Sequence, residues 1–234
     1  MNDWRNAIEQ TYVVKFPQQH LATFGITRVE YFIVTEPLYL EFDSNKKIES
    51  VVRTGLVKSA QPVIITPTYA MNNLGFSESA HEYMKDVSTK YGPNSPGIVY
   101  EYTNEHKNLE IIGGHPSDIA NNIRKDLDNK KNNLSVVIVG IDEFWDVALL
   151  KFIYEYTAAS LAFNSNEMKN AGLMDIRQDL GGLPVAATNQ IEEMFKSVYK
   201  GGSPEVLKHE LDKWGVYRFY EDRFLDLFKN SSLS

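Results

Sequence analysis

Apolar positions along this chain recur first every second residue, then alternate between strand and helix periods, and finally keep helical spacing alone. Tyr12–Phe16, Val29–Val34 and Leu38–Phe42 are rich in β-branched and aromatic side chains, are punctuated by Pro17 and Pro37, and read as strands. Both alternating sets of Val29–Val34 are apolar, with Glu30 its one charge. A strand apolar on both faces belongs inside a sheet, so a central position is expected. Asp43-Ser44-Asn45-Lys46 has turn chemistry and should reverse the chain before a strand over Ile48–Val57.

From residue 61 the pattern changes. Pro62-Val63-Ile64-Ile65 is a short apolar run, and Phe76, Ala80, Tyr83, Val87 and Tyr91 then mark one helical face. Gly97–Thr103 and Leu109–Ile112 read as two strands separated by a polar loop, Asn104–Asn108. Ile119, Ile123 and Leu127 mark a helix opened by Pro116-Ser117-Asp118, with Ser117 the expected cap. Ser135–Val139 is the cleanest strand and leads through Gly140-Ile141-Asp142-Glu143 into a helix reaching about Phe163. That helix is apolar nearly all round, which predicts burial on most sides, with Lys151 and Glu155 paired within it.

The remainder is helical, over about 185–199, 204–213 and 216–229, with Gly181-Gly182-Leu183-Pro184 and Gly201-Gly202-Ser203-Pro204 as punctuation. The pattern predicts an α/β or α+β fold: a mixed sheet with parallel members between residues 62 and 139, covered by helices, and a C-terminal helical subdomain. The expected division is 1–163 and 164–234, joined as one cooperative unit.

Composition narrows the function classes. The chain has 234 residues, 43% of them hydrophobic, with 3 Trp, 13 Tyr and 12 Phe, enough to fill a sizeable core. A net charge of −7 argues against a general nucleic-acid binder or an anionic-membrane binder. The absence of cysteine removes disulfides, thiolate metal sites and Cys nucleophiles, and points to a cytoplasmic location. The N-terminal residues lack a signal-peptide pattern, so a soluble, unprocessed chain is expected.

Chemistry is expected beyond the C-terminal ends of parallel strands, where α/β sheets hold ligands. Three loops would open there: Thr66–Asn73 with Thr66 and Thr68, Gly113-Gly114-His115-Pro116-Ser117, and Gly140–Glu143. Gly113 and Gly114 before a helix suit an anion, and Ser117 adds a hydroxyl. His115 suits proton transfer near neutral pH. Asp142, Glu143 and Asp146 offer oxygen ligands for Mg²⁺, or cap the helix they open. Glu105-His106-Lys107 matches half of a metal-dependent nuclease motif but falls in the expected polar loop, whereas that motif belongs on a strand. His81 lies next to the apolar stripe of its helix and His209 on the charged Lys208-His209-Glu210 face, and neither is expected as a ligand.

Trp214, Tyr217, Tyr220 and Phe224 give the C-terminal helices more aromatic surface than one buried face needs, as at a subunit or partner interface. Two functions follow as expectations. The first is a non-catalytic module that binds a protein partner or its own copy through these aromatic helices. The alternative is a Mg-dependent enzyme acting on a phosphorylated or nucleotide-like small molecule at the strand-end crevice.

Overall fold

The computed structural model describes residues 4–37, 48–72 and 77–231. The expected strand Leu38–Phe42, the turn at Asp43–Lys46 and the helical position Phe76 lie outside the described residues. In chain order the elements are α1 (Trp4–Gln10), β1 (Tyr12–Lys15), β2 (Thr27–Glu36), β3 (Glu49–Ser59), β4 (Val63–Ile65), α2 (Pro67–Asn72), α3 (Glu78–Tyr91), β5 (Gly97–Val99) and β6 (Tyr102–Gly113). They continue with α4 (Pro116–Asn129), β7 (Ser135–Ile141), α5 (Trp145–Asn170), β8 (Ile176–Arg177), β9 (Leu183–Pro184), α6 (Val185–Tyr199), α7 (Pro204–Trp214) and α8 (Tyr217–Ser231). The fold is mixed α/β with C-terminal helices. Two compact units divide it: Met1–Pro62 with Tyr100–Asn164, and Val63–Val99 with Ser165–Ser234. The segment Val63–Val99 thus groups with the C-terminal helices.

In the first unit a five-stranded sheet has the order β1-β7-β2-β3-β6. β2 runs parallel to β7, and the other neighbours are antiparallel. β2 is central, as its two apolar faces require. Tyr31 and Ile33 point to a core completed by Phe152 and Tyr156 of α5, while Val34 of β2 and Val137 of β7 pack with Ala120 and Leu127 of α4 on the other face. Helices therefore cover both sides of the sheet.

Asn104–Asn108, expected as a loop, lies inside the single long strand β6. β6 is an edge strand whose residues are mostly exposed, so polar side chains cost it nothing while its backbone pairs with β3. The register slips between Thr54/Asn108 and Gly55/His106, leaving Lys107 as the extra residue of a bulge.

The second unit corrects the expected parallel sheet. β4 pairs antiparallel with β5 in a separate two-stranded sheet, so Pro62–Ile65 does not extend the main one. The stripe on α3 faces no core: no residue of that helix is buried, and Tyr83 and Tyr91 are exposed. A helical period identifies a face without specifying what covers it. The unit's core is built by α6, α7 and α8, with Leu183, Ile191, Phe195, Leu207, Leu211 and Trp214 at its centre. Pro204 stands at the first position of α7 after Ser203, whose hydroxyl accepts from the Val206 N–H, as the sequence implies.

Among the described residues no helix is long and apolar enough to cross a membrane.

Candidate functional site

β2, β6 and β7 run in the same direction, so their C-terminal ends open on one edge of the sheet. His115 and Asp142 both follow strands that end there. Two strands separate β6 from β7, so the two ends stand three spacings, about 14 Å, apart. Asp142 already has one carboxylate oxygen committed within the fold. Its Oδ1 accepts from Arg53 Nη1 at 2.5 Å and from Thr35 Oγ1 at 2.5 Å, and Arg53 Nη1 also reaches Thr35 Oγ1 at 3.2 Å. Both charged side chains are largely enclosed, 17% and 14% exposed. Such an ion pair persists because each charge replaces the other's lost hydration.

Beside this pair lies a cavity of about 400 Å³ lined by Arg53, His106, Lys107, Asn108, Leu109 and Trp145. Trp145 opens α5, with the Arg53 guanidinium 5.7 Å from its ring centre and the His106 ring 5.0 Å away, edge-on. His106 Nδ1 lies 3.0 Å from the Tyr31 hydroxyl. Burial pushes that hydroxyl above its ordinary value, with Asn104 acting in the opposite direction. Lys107 Nζ is held by Glu30 at 3.2 Å, and Glu105 pairs with Lys58. The Glu105-His106-Lys107 triplet thus does sit on a strand, but its acid and its base are committed to separate partners.

The other expected site residues are exposed or make local contacts. Glu143 and Asp146 are exposed, and Asp146 Oδ1 accepts from the Val147 N–H in the first turn of α5. Among the described residues no three His, Asp or Glu side chains converge as a metal-binding group. His115, not Ser117, occupies the N-cap position of α4, because Pro116 takes the first helical position. The Gly114 carbonyl accepts from Ser50 Oγ at 2.7 Å, and the backbone of Gly113 ends β6. Thr66 and Thr68 belong to the second unit: Thr66 Oγ1 accepts from the Tyr69 N–H at the start of α2, and Thr68 Oγ1 donates to the Pro93 carbonyl. The Lys151–Glu155 pair does not form. Lys151 Nζ donates instead to the carbonyls of Ile8 and Thr11, while Glu155 is exposed.

Of the aromatic residues expected at an interface, Trp214, Tyr220 and Phe224 are buried in the second unit's core and Tyr217 is half-buried against it. They fill their own unit because α6, α7 and α8 enclose them. Other side chains of the C-terminal helices, Phe219 and Leu225 among them, are exposed, and apolar surface is exposed as well on α5, which was expected to be buried on most sides. Leu150, Tyr154, Ala158 and Leu161, at spacings of one turn, form a stripe opposite the core face, with Leu150 65% and Tyr154 74% exposed.

Arg53, Tyr31 and Trp145 escape a motif search, and His106 enters one only inside the Glu105-His106-Lys107 triplet. Two signals point to them: a lone Arg inside the apolar run Val51–Val57, and Gly55 two residues later, since an interior strand glycine marks a bulge or a close approach. Compared with known proteins, the chain matches no family model, no curated protein and no solved structure.

Proposed function

We propose that this protein is a binding module that associates with a second copy of itself through the exposed stripe of α5. The observation that carries this reading is Leu150, Tyr154, Ala158 and Leu161 standing exposed on one helical face, without a charge within the stripe. Leaving Leu and Tyr side chains in water forgoes about 1.5–3 kcal/mol each, which a partner surface recovers. A copy of the same stripe suits this one. It is apolar, it needs no opposite charge, and Ala158 and Ala162 let a second helix approach closely in a two-fold arrangement. The sequence-based reading of a self-associating protein is retained, with its surface moved from the aromatic C-terminal helices to α5.

Light scattering from about micromolar to about millimolar chain is the test, spanning ordinary reversible affinities. The expected mass rises from 26.7 kDa towards twice that value, and Leu150→Glu with Tyr154→Glu holds it at the single-chain mass. Each copy carries −7, so salt should strengthen the association by screening repulsion. A wild-type chain that stays at the single-chain mass throughout overturns the reading.

A further inference from the structure

We propose that the cavity beside Arg53 is a binding site for a small oxyanion that carries a planar ring. Four observations converge on it. Arg53 spends a single nitrogen, Nη1, on both Asp142 and Thr35, so its Nε and Nη2 donors make no hydrogen bond among the described residues. Those two N–H groups form a fork that matches a carboxylate or phosphate edge, and the grip on Nη1 holds the guanidinium in place before a ligand arrives. Second, none of the described residues lining the cavity is acidic. Third, His106 lines the cavity with its Nδ1 3.0 Å from the Tyr31 hydroxyl, and in the tautomer where that hydroxyl donates, Nε2 carries the ring hydrogen and is a further donor. Fourth, the Trp145 ring and the exposed Leu109 side chain supply apolar surface for a flat body, and about 400 Å³ lies within the range of small-molecule pockets.

The backbone is shaped for this arrangement. A bulge re-aims side chains at the strand position where it occurs, and this one separates His106 from Asn108 opposite Gly55 and Thr54. Gly55 leaves the room through which the Tyr31 hydroxyl reaches His106. The cavity's lining includes none of the residues of the α5 stripe, so the proposal does not rest on self-association.

Calorimetric titration of the full chain with four probes tests the proposal: adenosine 5′-monophosphate, 2-naphthoate, adenosine and inorganic phosphate. At least one ring-bearing anion should bind at or below about millimolar concentration. Uncharged adenosine and ringless phosphate should each bind at least about tenfold more weakly, because each lacks one half of the recognition. Preference for the nucleotide assigns a phosphate ligand, and preference for naphthoate a carboxylate.

Arg53→Lys keeps a cation for Asp142 but loses the fork, so affinity should fall at least about tenfold while the melting temperature changes little. If Arg53→Lys fails to fold, His106→Ala serves, as an exposed residue whose loss should also weaken the anion. Failure of both ring anions to bind overturns the site, as does binding that neither variant weakens.

Discussion

The ring of Tyr31 fills the space where a side chain at Gly55, its cross-strand partner, would stand. A Cβ at Gly55 would overlap the Cζ and hydroxyl oxygen of Tyr31 and lie 2.6 Å from the Glu105 carbonyl oxygen. The tyrosine covers the bare backbone of β3, and its hydroxyl passes over to His106 on β6.

Gly55→Ala is therefore expected to cost about 1–3 kcal/mol or more, since the obstructing atoms include backbone as well as the buried Tyr31 ring. Tyr31→Phe keeps the ring and loses one hydrogen bond, about 1 kcal/mol. Urea unfolding of the two variants checks the order. Gly55→Ala melting like the wild type would show that the strand yields more easily than the contacts imply.

Asp142→Ala leaves Arg53 without its charged partner in an enclosed place and is expected to cost about 3 kcal/mol. Adding Arg53→Met should restore part of that loss, because the stranded charge goes with it. A double-mutant cycle measures the coupling, which should exceed about 1 kcal/mol. Simple additivity would mean that the pair contributes nothing of its own.

Burial, reinforced by Tyr102, pushes the Tyr156 hydroxyl up to about 12, and burial with Glu210 does the same for Tyr69. A phenol is neutral below its pKa, so the folded chain keeps these protons longer than the unfolded chain does. That contribution to stability is complete below the ordinary value of 10.0 and is lost as pH rises from there towards 12. Denaturation midpoints should fall across this window, and Tyr156→Phe with Tyr69→Phe should flatten the fall. Absorbance titration showing all 13 tyrosines ionising together near 10 would contradict it.

Phe224→Ala should cost about 3–5 kcal/mol as a cavity in the second unit's core, without removing an exposed contact surface. Tyr220→Phe should do the opposite. Its buried hydroxyl has no hydrogen-bond partner among the described residues, so removing it is expected to leave stability unchanged or raise it by about 1 kcal/mol. Thermal melts of both variants decide the matter, and a clearly destabilised Tyr220→Phe would reveal a partner for the hydroxyl.

Local patterns were enough for β2, β7 and the C-terminal helices, because their signals are confined to a few neighbouring residues. Two apolar faces in Val29–Val34 imply a central strand, and Ser203-Pro204 implies a helix start. Periodicity reports which residues share a face and is silent on what lies opposite. The stripe on α3 and the all-round apolar α5 were therefore misjudged, and the C-terminal aromatics were expected outside when α6, α7 and α8 enclose them. β6 was hidden for a related reason, since an exposed edge strand can be polar throughout while its backbone satisfies β3. The pairing of Arg53 with Asp142, 89 residues apart, and of Tyr31 with His106, 75 apart, exists only once the sheet order brings their strands together. Hydrogen bonds of that span leave no periodic trace in a chain, so tertiary structure alone decided where the cavity formed.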